Sequence, residues 1–332
     1  MAYQNLLDLQ INKVSTNISD YSLLIVGRSG IGKSPLLAEL YGDRAIMLSF
    51  DNSQKGIAGI YSVTIDSYDT LVYYINQLQN PSVREKFDVV IIDTLSMFDY
   101  MCEKSVLDAY GKDLLSDCLG YNKAYKIVDK RFMDAIKKIQ RMNYTMAYVC
   151  HPKEVKIKLQ DGTEMVRIEP KVSDRLKDML IPEIDVRLFA TFNENGERVI
   201  YTKGNQYFDA RCRVGDMKEA IPFDAKTLRK EFAEGVQRKV DGNLLADSDE
   251  IVKNVAHKQE RSLEEAIEEI KSLGSKLSEL GHETTATQLM FEELGLDNEG
   301  NQRTLADATE KMLPSLETII VKLKELYDRV HS

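Results

Sequence analysis

Eight consecutive residues, Gly27-Arg28-Ser29-Gly30-Ile31-Gly32-Lys33-Ser34, carry the spacing GxxxxGK[ST], and each fixed position in it has a chemical task. Glycines leave room for backbone N–H groups to converge on one anion, and the start of a helix adds partial positive charge at the same spot. The Lys33 ammonium is placed to reach the terminal phosphates of a nucleoside triphosphate, and the Ser34 hydroxyl to ligate Mg²⁺. Pro35 follows in the first helical turn, where a missing N–H costs little. Asp93 suits the same chemistry. It closes the apolar run Phe87-Asp88-Val89-Val90-Ile91-Ile92, the position of a carboxylate that holds Mg²⁺ directly or through water.

These residues need strands and helices to hold them. Residues 22–26 read as a short buried strand feeding the glycines, and 36–42 as the helix after them. Further strands are predicted at 45–50, 62–65, 87–93 and 144–150, the third of them fully buried by its continuous β-branched character. A helix spans 67–79, and a long helical stretch after Asp93 breaks at Gly111 or Gly120. Strands alternating with helices predict a mostly parallel sheet covered on both faces, with Asp93 beside the strand that enters the glycine loop. Beyond Cys150 the pattern changes to two hairpins. One joins 155–159 to 164–168 through Asp161-Gly162, and the other joins 185–192 to 197–203 through Asn193–Gly196. Both are expected as antiparallel strands at the sheet edge. From about residue 245 the chain reads as helical, with Leu263, Ile267, Ile270, Leu273, Leu277 and Leu280 as an apolar stripe seeking a small bundle. The fold class is therefore α/β, a P-loop NTPase core over 1–243 with an all-helical appendage over 244–332, the linker lying near 240–250.

The P-loop, the Asp93-Thr94 strand end, the acid in Leu48-Ser49-Phe50-Asp51-Asn52, the polar tip of the strand ending at Cys150 and the Arg211-Cys212-Arg213 element together resemble the RecA-type ATPase core, an AAA-type ATP-binding domain. The resemblance covers about 10–240 and is more specifically to phage-encoded RecA-like ATPases of single-strand annealing and recombination. It implies ATP and Mg²⁺ as ligands. Thr94 stands where helicases and many motors carry a catalytic Glu, so the resemblance moves the general base to Asp51, which otherwise reads as a turn cap with Asn52 and Ser53. It makes His151 a γ-phosphate sensor; the other reading is a solvated histidine at a strand end. It makes Arg211 and Arg213 cations inserted into a neighbouring subunit's site, which requires a homo-oligomer, ring or filament; the other reading is a surface charge pair. Finally, it lines a DNA channel with the loops after the strands ending at Asp93 and Cys150.

Lys123, Lys126, Lys130, Arg131, Lys137, Lys138 and Arg141 lie in the first of those segments, and Lys153, Lys156, Lys158, Arg167 and Lys171 in the second. Lys123, Lys126, Lys153, Lys156, Lys158 and Arg167 are the candidate single-stranded DNA contacts, a basic ribbon that tracks phosphate without reading bases. The bland alternative is a solvated helix face and a hairpin blunted with lysine. Tyr121 and Tyr125 are weaker candidates for base stacking.

Charge separates the two parts. Residues 244–332 hold 10 basic and 19 acidic side chains, while residues 1–243 balance at 34 against 34, so the net −9 belongs to the tail. The tail is a poor phosphate binder; its acidity could serve a protein partner, such as a single-strand-binding or replication protein, or compete with DNA for the basic groove. Cys102, Cys118, Cys150 and Cys212 form no CxxC pair, which argues against zinc and for a reducing cytoplasm, the host cytosol for a phage protein. No apolar run reaches membrane-spanning length and no signal peptide is read, so no membrane partner is expected. A GTPase is disfavoured, because Asn122-Lys123-Ala124-Tyr125 lacks the Asp of NKxD, and a small-molecule kinase is disfavoured by the missing arginine-rich lid. Two functions remain: a DNA-directed ATPase, or a nucleotide-gated oligomeric scaffold or loader with little turnover.

Overall fold

A computed structural model of the chain describes residues 11–51, 53–120, 122–158, 162–246, 262–295, 302–309 and 312–331. They fall into two compact units, one within Asn12–Val252 and one drawn from Met1–Ile11 and Lys253–Ser332. The first begins with β1 (Val14–Ser15) and β2 (Leu23–Gly27), followed after the glycine loop by α1 (Lys33–Tyr41). Strands β3 (Ala45–Ser49), β4 (Tyr61–Thr64), β5 (Val89–Asp93) and β6 (Thr145–Cys150) come next. Between them run α2 (Tyr68–Gln77), α3 (Pro81–Lys86), α4 (Leu95–Tyr110), α5 (Leu115–Cys118) and α6 (Lys123–Arg141). The unit then adds β7 (Pro152–Lys158), β8 (Glu164–Pro170), α7 (Asp174–Leu180), β9 (Val186–Phe192), β10 (Arg198–Tyr201), β11 (Arg211–Cys212), β12 (Ala220–Pro222), α8 (Ala225–Lys239) and β13 (Leu245–Ala246).

The central sheet runs β12-β10-β9-β2-β6-β5-β3-β4, with β11 also on β9. From β9 to β4 every pairing is parallel, and β10, β11 and β12 are antiparallel additions at one end. The strands expected around Asp93 and the glycine loop are present, but they are not neighbours. β6 lies between them, pairing Leu23 with Ala147 on one side and Val89 with Thr145 on the other. The long crossover through α4, α5 and α6 returns the chain to that central slot, a long-range choice no local pattern encodes. The hairpin β7–β8 also departs from expectation. It forms a separate two-stranded sheet, because β6, which feeds it, is flanked on both sides and offers no open edge. The β9–β10 pair does sit at the edge of the main sheet.

Side-chain alternation assigns each strand residue to one face. Leu23, Ile25, Met47, Val89, Ile91, Ala147, Val149, Val186, Leu188 and Ala190 pack into one buried cluster with Leu36, Leu37 and Leu40 of α1 and Leu228 and Phe232 of α8. Leu24, Val26, Leu48, Val90, Ile92, Met146 and Tyr148 face the opposite cluster, built with α2, α4 and α6. Continuing the period of two, Ser49, Asp93 and His151 emerge on the α1 face. Thr94 caps α4, its hydroxyl accepting from the Met97 N–H. Both expected breaks interrupt the helical stretch: Gly111 ends α4 at φ +60°, and Gly120 lies between α5 and α6.

Among its described residues, the second unit holds the α-helices Leu263–Glu279, Glu283–Leu294 and Leu313–His331. The first opens on a capping box between Ser262 and Glu265. Ala266, Ile270, Leu273 and Leu277 are buried against Leu316, Ile319, Ile320 and Leu323; Leu263 and Ile267 are partly buried, and Leu280 at the cap is exposed. Among the described residues no helix is long and apolar enough to cross a membrane. The Asp161 turn, Tyr121 and the end of the expected linker, 247–250, lie outside the described residues.

Candidate nucleotide-binding site

β2 delivers the chain to the glycine loop, and three glycines shape it for different reasons. At Gly27 a Cβ would lie 2.7 Å from the Ala190 carbonyl oxygen of β9, so the neighbouring strand leaves no space. Gly30 and Gly32 adopt φ +79° and +104°, a region L side chains rarely enter. Gly32 is the N-cap of α1, and its carbonyl accepts from the Leu36 N–H at 3.0 Å. Ile31 turns inward and is buried, which anchors the loop, while Arg28 and Ser29 are exposed.

Lys33 is 5% exposed. Its Nζ donates to the carbonyl oxygens of Gly27 at 2.7 Å and Arg28 at 3.0 Å. Those bonds fix the ammonium inside the curl of the loop and use two of its three protons. Burial pushes its pKa below the usual lysine value, while Asp93 and Asp51 act in the opposite direction. The ammonium is thus partly stripped of water before any phosphate arrives, a condition under which an anion is held more strongly.

Ser29, Gly30, Gly32, Lys33, Ser34, Asp51, Asp93, Thr94 and His151 line one cleft of ≈ 280 Å³. They come from the tips of β2, β3, β5 and β6, which the parallel sheet brings to the same edge. Asp93 is completely buried. Asp51 is exposed, two residues beyond β3. His151 is partly buried, with its carbonyl accepting from the Lys171 N–H at 2.7 Å. Burial, then the neighbouring Lys33 charge, holds its imidazole below the usual histidine range, against the pull of Asp51 and Asp93. A neutral imidazole at neutral pH can donate or accept a hydrogen bond.

The donor set suits Mg²⁺. The buried Asp93 carboxylate and the Ser34 hydroxyl at the head of α1 both line the cleft, and both are hard oxygen ligands. Beside them lies Ser49, opposite Asp93 in the β3–β5 ladder, with a fully buried hydroxyl that makes no hydrogen bond. A hydrated cation would give that hydroxyl a partner. Ser49 had no motif to announce it; only its register with Asp93 points to it. Arg198 was also invisible in sequence, its Nη1 donating to the Ile31 carbonyl oxygen at 3.2 Å across 167 residues.

The remaining candidates lie outside the cleft lining. Arg211 is exposed on β11. Arg213 is tied down within its own chain, with an ion pair to Asp185 at 3.4 Å and a hydrogen bond to the Pro182 carbonyl. On α6, Lys123, Lys126 and Lys130 are exposed, whereas Lys137 pairs with Glu183 and Lys138 donates to Asn76. Tyr125 is covered by the Arg175 guanidinium, 4.8 Å from its ring centre. In the hairpin, Lys153 donates to Asp174 and to the Val172 carbonyl. Lys156 and Lys158 share their open face with Glu154 and Glu164, while Arg167, opposite Val155, lies on the other face. The basic ribbon read from sequence is therefore split between two faces and diluted by acids.

Residues 19–214 match the family model described as AAA domain. No curated protein matches the chain.

Proposed function

The chain belongs to the AAA domain family, and from that premise we propose that it is a Mg²⁺-dependent ATPase of RecA-like type that acts on single-stranded DNA as an oligomer, in recombination, annealing or replication of the phage kind. The observation that carries the ATPase reading is the meeting of Lys33, Ser34, Asp51, Asp93 and His151 in one cleft at the head of α1. In this reading the loop amides and Lys33 grip the β- and γ-phosphates of ATP. Ser34 and Asp93 hold Mg²⁺, which supplies charge neutralisation at the transferring phosphoryl group. Asp51 orients the attacking water and takes its proton, and His151 reports the γ-phosphate to the hairpin that follows it. Thr94 caps α4 and has no acid–base part.

The mostly parallel sheet that carries the tips of β2, β3, β5 and β6 to one edge supports the RecA-like reading. DNA binding is supported chiefly by Lys123, Lys126 and Lys130, exposed along α6; the mixed charges of the β7–β8 face support it less. Arg211, exposed near the sheet edge, is the better candidate for a cation offered to a neighbouring subunit, since Arg213 is already engaged. The acidic helical unit is the natural contact for a replication protein.

The test is ATP hydrolysis with and without single-stranded DNA at several salt concentrations. Stimulation that fades steeply with salt is expected, because phosphate contacts release counterions. Near-zero turnover indifferent to DNA, with nucleotide-dependent assembly, would replace this reading with the scaffold or loader.

A further inference from the structure

We propose that a shelf formed by Phe192, Arg198 and Phe223 holds the nucleoside base of the substrate, an inference that rests on the P-loop reading of Lys33. The Arg198 guanidinium lies over the Phe223 ring, 5.0 Å from its centre, while its Nη1 donates to the Ile31 carbonyl oxygen of the loop. Both side chains press on the loop from the side: a Cβ on Gly32 would meet Arg198 Nη1 at 2.9 Å and Phe223 at 3.3 Å. Phe192 stands directly opposite Arg198 in the β9–β10 ladder and is 53% exposed. Residues directly opposite each other share a face. Val186, Leu188 and Ala190 place that face of β9 on the α1 side. A phenylalanine left half in water there has no core to explain it.

Direction follows from strand order. Asp51, Asp93 and His151 extend from β3, β5 and β6, all on one side of β2, whereas Phe192 and Arg198 belong to β9 and β10 on the other. A triphosphate whose terminal group faces Asp51 and His151 must run its nucleoside toward β9 and β10. There it meets a flat cation and two aromatic rings. Such surfaces stack on any planar heterocycle and read no donor–acceptor pattern, so they favour the larger purine over a pyrimidine without choosing between purines.

The experiment compares binding of ATP, CTP and inorganic tripolyphosphate to the full chain by calorimetry, in the wild type and in Phe192→Ala and Arg198→Ala. The wild type is expected to prefer ATP to CTP and to tripolyphosphate. Each variant should lose about tenfold in ATP affinity, on the scale of one stacked base, and keep its tripolyphosphate affinity. Equal losses for both probes would show that Arg198 only props the loop; Phe192, which the loop contacts do not include, then decides the matter. Unchanged ATP affinity in Phe192→Ala, or a wild type that binds tripolyphosphate as well as ATP, overturns the shelf alone. A wild type that binds neither probe overturns the P-loop reading as well.

Discussion

Gly27→Ala separates the packing of the loop from its backbone conformation. The added Cβ would lie 2.7 Å from the Ala190 carbonyl oxygen, 3.1 Å from the Ala190 Cβ and 3.4 Å from Ile31 Cγ2. The nearest obstacle is backbone in a parallel ladder, where Gly27 pairs with Ala190, so it cannot rotate aside as a side-chain tip would. β2 and β9 must part, or the loop must lift from β9. Overpacking of a tight site costs about 1–3 kcal/mol, and a backbone obstacle puts this case near the upper end. At about 2–3 kcal/mol the unfolding equilibrium moves roughly 30- to 150-fold. Gly30→Ala is the control, because its Cβ would meet nothing within 4 Å and its cost comes only from φ +79°, about 1–2 kcal/mol. Urea unfolding followed by far-UV circular dichroism measures both. Gly27→Ala should be the less stable, and it should also weaken nucleotide binding by displacing the carbonyl that anchors Lys33. A Gly27→Ala protein as stable as wild type, or more stable than Gly30→Ala, refutes the reasoning.

Four further outcomes follow from the same geometry. Burial, above all, holds the His151 imidazole below the ordinary histidine value of about 6.5, so the unfolded chain takes up its proton first as pH falls. Stability should therefore decline as pH drops through about 6.5 toward the lower folded value, and His151→Gln should flatten that decline in denaturation curves between about pH 7 and 5. Arg213→Ala should cost at most about 1 kcal/mol, since its ion pair with Asp185 is half-exposed, and it should act on melting temperature rather than on turnover. Arg211→Ala should leave melting unchanged and abolish the rise of ATPase rate per subunit with protein concentration; a rate per subunit that is already independent of concentration in a confirmed monomer removes the trans role. Replacing Lys126 and Lys130 together by Ala should flatten the salt dependence of single-stranded DNA binding by roughly two phosphate contacts' worth, and an unchanged slope in a filter-binding titration would exclude α6 from the interface.

Much of the core was readable because its signals are local. The apolar runs ending at Gly27, Asp93 and Cys150 are strands, and Gly111 ends a helix where expected. The mostly parallel sheet and the helical C-terminal part follow from the alternation of elements and from the leucine-rich stripe. What local patterns do not carry is which strand returns to which slot. β6 entered between β2 and β5, so the strand ending at Asp93 stands one strand away from the one that enters the glycine loop. For the same reason Ser49 and Arg198 went unnoticed: each meets the site through ladder register or a contact across 167 residues. Arg167 shows the opposite failure. Its proximity in sequence suggested one ribbon with Lys156 and Lys158, yet the hairpin register pairs it with Val155 on the other face. Charge counted along a segment says nothing of the face on which it lies.

The most direct measurement is titration calorimetry of the full chain with ATP, with and without Mg²⁺, beside Lys33→Ala and Asp93→Asn. Tight binding that strengthens with Mg²⁺ is expected in the wild type, with loss of binding in Lys33→Ala and loss of the Mg²⁺ increment alone in Asp93→Asn. A wild-type protein with no Mg²⁺-dependent affinity for ATP, or one whose affinity survives Lys33→Ala intact, would contradict the P-loop reading.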